Sequence, residues 1–97
     1  MEIIIAKIAE AEFDDAKQYY ELEQAGLGKR FEKEVKASLQ RVKQFPTAWP
    51  IEREGIQKYL IHKFPYKILY SVQKNKILVL AFAHQHREPI YWVDRIR

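Results

Sequence analysis

The sequence predicts an α+β domain: an N-terminal strand, an antiparallel two-helix hairpin packed on a small, mainly antiparallel sheet, and a short C-terminal helix. Three observations predict it. Ile77 to Ala83 contains no polar residue, so it reads as a central strand covered on both faces. Tyr66 to Val72 alternates, with Tyr66, Ile68, Tyr70 and Val72 on one face and Lys67, Leu69 and Ser71 on the other, the period of a half-buried strand. Upstream, apolar residues recur at helical spacing on both sides of a Gly26-Leu27-Gly28 joint, which implies two helices folded back on each other.

In chain order, Glu2 to Ile8 is mostly apolar and β-branched and is expected to be a strand. Phe13, Ala16, Tyr20 and Leu27 then fall at roughly helical intervals, and Glu10, Glu12, Asp14 and Asp15 crowd the start of that helix, where the positive end of its dipole favours acids. Gly26 is expected to end it, because glycine takes the left-handed conformation that follows a helix C-terminus. The second helix runs from Leu27 or Gly28 to Gln44, with Phe31, Val35, Leu39, Val42 and Phe45 as its apolar stripe. Pro46 and Pro50 forbid its continuation, so Pro46 to Gly55 reads as a loop anchored by Trp49, and a strand follows from Ile56 to His62. Asn75 tolerates the left-handed region and predicts a tight turn between the last two strands. That turn sets Lys67 opposite a residue between Phe82 and His84, and brings Lys67 and Arg87 towards one open rim. Pro89 suits the first position of the terminal helix.

The chain has 97 residues, which predicts a single domain spanning 1–97. It contains no cysteine, which excludes a disulfide framework, a thiolate metal site and a cysteine nucleophile, and an intracellular, cytoplasmic protein is the simplest expectation. The apolar run Ile3 to Ile5 is too short for a signal peptide or a membrane span. Net charge is +4, and it is unevenly placed: residues 51–97 hold 9 Lys/Arg against 4 Asp/Glu, whereas residues 1–50 hold 8 against 9. A basic sheet half suits phosphates or an acidic protein segment, and equally a plain solubility surface.

Several short patterns stand in order along almost the whole chain. They are Ala11-x3-Asp15 with Tyr19-Tyr20-Glu21, Gly26-Leu27-Gly28-x2-Phe31, Phe64-Pro65-Tyr66-x3-Tyr70, and Ala83-His84-x2-Arg87-x-Pro89-x-Tyr91-Trp92. In order and spacing the chain resembles the RelE/ParE superfamily of toxins from type II toxin–antitoxin modules. The resemblance implies a growth-inhibiting protein neutralised by a cognate antitoxin, with no cofactor and no metal. It leaves the target open. RelE-like members cut messenger RNA in the ribosomal A site and ParE-like members poison DNA gyrase on nearly the same fold, so the residues must decide. A third reading is a non-toxic relative that binds its antitoxin and represses the operon.

RelE-like cleavage is metal-independent attack of a 2′-hydroxyl on the adjacent phosphate, which needs proton transfer and cations against the developing charge. By resemblance Arg87 matches one arginine of that site, and the second falls on Lys67, a point charge that lacks the bidentate grip of a guanidinium. The RelE-like tyrosine lies further beyond its arginine than Tyr91 lies beyond Arg87. His84 completes the catalytic candidates as a proton-transfer group. Each has a plainer role. His84 reads as a buried hydrogen-bonding residue, and with His86 it forms too small a set for a metal. Arg87 has Glu88 and Asp94 as partners within reach, Tyr91 and Trp92 serve as core lids, and Lys58 and Lys63 add positive charge of undetermined facing. The incomplete cation pair and the long hairpin together favour the gyrase-poisoning branch.

Overall fold

The computed structural model describes residues 1–87 and 89–96. Five strands form one sheet in the order β1-β5-β4-β3-β2, where β1 is Glu2–Ile5, β2 Ile51–Arg53, β3 Ile56–Leu60, β4 Tyr66–Gln73 and β5 Lys76–His84. Only β1 and β5 run parallel; the other neighbours are antiparallel. Helices α1 (Lys7–Glu23) and α2 (Leu27–Gln44) lie on one face, and a 3-10 helix, Pro89–Ile96, follows β5. The expected α+β architecture is therefore the observed one.

Two cores explain why β5 is apolar throughout. On the hairpin side, Phe31, Val35 and Val42 of α2 and Ala9 and Ala16 of α1 meet Ile68, Tyr70, Ile77, Val79 and Phe82. On the other side, Trp92 and Val93 of the 3-10 helix cover Leu69, Leu80 and Ala81. Pairing shifts from Leu69–Ala81 to Tyr70–Val79, so β5 carries one extra residue and both Leu80 and Ala81 fall in the second core. Such a bulge leaves ladder groups for side chains to satisfy.

Several boundaries differ from expectation. The first strand ends at Ile5, and α1 begins at Lys7. Once Ala6 N–H has bonded to Val79 O at 3.0 Å, the strand has run out of pairing, and helix formation lets Ala9 reach the core while the apolar Ile8 stays half in solvent. With this earlier start, only Glu10 of the expected acids lies in the first turn. Leu27 belongs to α2, and Gly26, at φ 88°, stands at the start of α2, because α1 already stops at Glu23. Phe45 is 56% exposed, since the chain leaves helical geometry at that residue. The stretch expected as a loop contains β2, and β3 stops at Leu60. Trp49 does anchor the segment, meeting Tyr59 edge-on with ring centroids 4.8 Å apart. Gln57 Nε2 donates to Pro46 O at 2.8 Å and to Trp49 O at 3.0 Å, and Tyr70 O–H donates to Pro46 O at 2.8 Å.

The helical joint is held by a carboxylate. Gly26 N–H and Gly28 N–H donate to Glu21 at 2.9 and 3.0 Å, supplying the acceptor that orphan amides at a helix start require. A Cβ on Gly28 would meet Lys17 O at 2.8 Å, so glycine here lets the two helices touch. The two amides, Gly26 first and Gly28 second, hold the Glu21 carboxyl below the usual carboxylate range. A depressed folded-state pKa adds stability that is present above the unfolded pKa and lost as pH falls through the folded one. Glu21→Gln is therefore expected to melt below the wild type at neutral pH, with the gap closing on acidification. Thermal melts of both proteins across the carboxylate range check this, and a gap independent of pH would refute it.

Candidate functional site

The candidate residues gather at the end of the sheet where β4 begins and β5 ends. Lys74 and Asn75 form the tight turn, with Asn75 at φ 65°, and the register pairs Lys67 with Ala83 and Tyr66 with His84. Lys67 and Arg87 consequently line one open depression of about 400 Å³, together with Glu52, Lys58, Gln85 and His86. The rim expected from the turn is present.

The two lysines on that rim share a single carboxylate. Lys67 is only 3% exposed, and its Nζ donates to Glu52 Oε1 at 3.1 Å. Lys58 Nζ lies 3.6 Å from the same oxygen. Glu52 Oε2 is buried and has no hydrogen-bond partner among the described residues. Sequence reasoning missed Glu52 because the two prolines made its segment look like a loop. The signal available was Ile51-Glu52-Arg53 followed by Glu54-Gly55 and Ile56, a short hairpin pattern. Lys63 does not join this site. It lies beside Tyr20, Leu27, Phe64 and Pro65, near the joint of the helical hairpin.

Arg87 is exposed, and its guanidinium stacks on the Tyr91 ring, with Cζ 3.8 Å from the centroid. It forms no ion pair with Asp94 among the described residues, and its other expected partner, Glu88, lies outside them. Tyr91 is in turn fixed from behind. Its O–H donates to Glu12 Oε2 at 3.2 Å. Glu12 also accepts from Arg95 at 3.0 Å on each carboxylate oxygen, and from Phe82 N–H at 3.2 Å. Beyond Val79 no strand among the described residues flanks β5 on the β1 side, which leaves the Phe82 amide for this side chain to satisfy. Arg95 Nη1 donates to Leu80 O, at the bulge, at 2.9 Å. Burial first, and the Glu12 charge second, push the Tyr91 phenol up to about 12, so at neutral pH it holds its proton and is a poor base. Glu12 and Arg95 were not expected at this site. On a helix face and at a chain end, neither carries a local signal.

His84 is exposed, which corrects the expected burial; it is the last residue of β5, past the end of β1. His86 N–H donates to His84 Nδ1 at 3.3 Å, and the two rings stand 5.5 Å apart. No group of three or more His, Cys, Asp or Glu side chains suited to a metal occurs among the described residues. Trp92 is fully buried, the lid role expected of it. Chemically, the rim offers Arg87, without an ion pair among the described residues, beside two lysines that share a carboxylate.

Comparison with known proteins places this geometry. The family model described as "ParE toxin of type II toxin-antitoxin system, parDE" matches residues 3–89. A solved structure titled "Chromosomal ParDE TA system from P. aeruginosa" superposes with a TM-score of 0.64 at 18% identity, covering 87% of this chain and 95% of that one, a likeness in fold. No curated protein matches. With the family model spanning the helical hairpin and all five strands, the chain belongs to the ParE toxin family of type II toxin–antitoxin systems.

Proposed function

We propose that this toxin, a single domain over residues 1–97, inhibits growth by poisoning DNA gyrase and is neutralised by a cognate antitoxin. The observation that carries the choice of target is the state of Lys67. A nuclease built on charge stabilisation needs cations free to meet a phosphate as charge develops. Lys67, where a RelE-like site has arginine, is buried against Glu52, and that carboxylate also faces Lys58. Tyr91, with its phenol pushed up to about 12, is a weak candidate for proton removal. A poison of another enzyme needs a shaped surface and no chemical step of its own.

The shared depression is what favours the RNase alternative, in which Arg87 and Lys67 act on the phosphate with His84 moving the proton. Substitution separates the two. Loss of a transition-state cation in Arg87→Ala would slow cleavage by about 10²–10³-fold, or about 3–4 kcal/mol, and Lys67→Arg would keep or raise it. On the gyrase reading, folded Lys67→Arg remains as toxic as wild type. Purified toxin should then trap gyrase on plasmid DNA as double-strand breaks while leaving mRNA whole in a translation extract. A-site cuts that disappear in folded Arg87→Ala would instead establish the nuclease, and the absence of both effects, with normal growth on induction, would establish the antitoxin-binding relative.

A further inference from the structure

Glu52 occupies an unusual place. It belongs to β2, a three-residue edge strand, yet its carboxylate reaches past β3 to Lys67 on β4. The hairpin that carries it turns tightly: Arg53 pairs with Ile56 across Glu54 and Gly55, at φ 49° and 77°, the doubly left-handed turn that matches strand twist. The register shifts between Ile51 and Arg53, so Glu52 is the extra residue of its strand. The side chain is 10% exposed, and one oxygen serves both lysines while the other has no hydrogen-bond partner among the described residues. A group so buried and only half used is a poor way to solvate itself. It is well placed to satisfy Lys67, whose ammonium, nearly all buried, requires an anion beside it. Across the same depression stands Arg87, exposed and without an ion pair among the described residues.

We propose that Glu52 is an internal stand-in for a phosphate, closing to phosphodiesters and free phosphate a site whose cations are Lys58, Lys67 and Arg87. A tetrahedral phosphate brings more acceptor oxygens than the carboxylate uses, and those oxygens would span the lysines and the arginine together. With Glu52 in place the depression carries two lysines that share one carboxylate, and an arginine without an ion pair among the described residues. Without its charge, three cations face one cavity. The inference is independent of the gyrase reading, because it concerns binding to the purified chain alone.

The test compares wild type and Glu52→Gln for binding a labelled short single-stranded RNA by fluorescence anisotropy across salt concentrations, and for thermal stabilisation by inorganic phosphate. The variant is expected to bind the RNA about tenfold more tightly, with a steeper loss of affinity as salt rises, as one more phosphate contact requires. Phosphate should raise its melting temperature and leave that of wild type unchanged. A gain with both probes assigns the site to a nucleic-acid strand, and a gain with phosphate alone assigns it to a small anion. Adding Lys67→Met to Glu52→Gln should abolish the gain. Equal binding by wild type and Glu52→Gln overturns the proposal, as does a gain that survives Lys67→Met, which would be a general charge effect. Should Glu52→Gln fail to fold in plain buffer, Glu52→Asp, which keeps the charge but draws it back, takes the same titrations; a smaller gain is expected, and none overturns the proposal.

Discussion

Phe31→Ala is expected to lower stability by about 3–5 kcal/mol, the range for deleting a buried aromatic ring and leaving a cavity. The side chain is fully buried, and its ring centroid lies 5.7 Å from Phe13, 5.1 Å from Tyr20, 5.2 Å from Phe64 and 5.5 Å from Tyr66. These neighbours come from α1, from β4 and from the segment before β4, so one truncation loosens the hairpin and the sheet together. Ring pairs at such separations add to the area term. A domain of this size holds only about 5–15 kcal/mol in total, which makes the loss a large share of it. Phe31→Leu should recover more than half of the loss, because it refills most of the volume. Urea or guanidinium unfolding of the three proteins measures this. A drop under about 1 kcal/mol for alanine would mean that the cluster collapses around the gap and that Phe31 is no keystone.

Glu12→Ala is expected to cost about 3 kcal/mol, the low end for removing one partner of a buried ion pair. The low end applies because the side chains of Arg95 and Glu12 keep 15% and 18% of their exposure. What remains is nonetheless uncomfortable: Arg95 without its two-pronged partner, Tyr91 O–H without its acceptor, and the Phe82 amide without a carbonyl or carboxylate. The consequence should be local before it is global. The 3-10 helix holds Trp92 in the second core, so its loosening should appear as a red-shifted tryptophan emission below the main unfolding transition. A cycle of Glu12→Ala, Arg95→Ala and both together should give a coupling of at least about 1 kcal/mol. Additive losses would show that the two side chains stabilise the chain separately and that the clamp is not a unit.

How far the molecule could be read from residue order depended on the range of the forces involved. Helix α2, the alternation of β4 and the burial of β5 are periodic patterns of hydrophobicity, set by the spacing of side chains along a helix or strand, and they were legible. So was the turn at Asn75, a local backbone preference, and with it the approach of Lys67 to the end of β5. Boundaries were less legible. Ile8 looks like strand, yet strand ends where pairing ends, and the partner of Ile5 is Val79, more than seventy positions away. The three residues of β2 vanish beside two prolines because an edge strand this short has almost no period of its own.

The site divides along the same line. Residue type and spacing determined that lysine and arginine would share a rim, since a hairpin register is a local matter. Only the folded chain decided what charge that rim presents. Glu52 arrives from an edge strand two strands over, and Glu12 from a helix nearly eighty residues before Tyr91. Electrostatic partners at such separations leave no periodic trace, because Coulomb attraction acts through space and burial magnifies it, while sequence pattern records only what repeats along the chain.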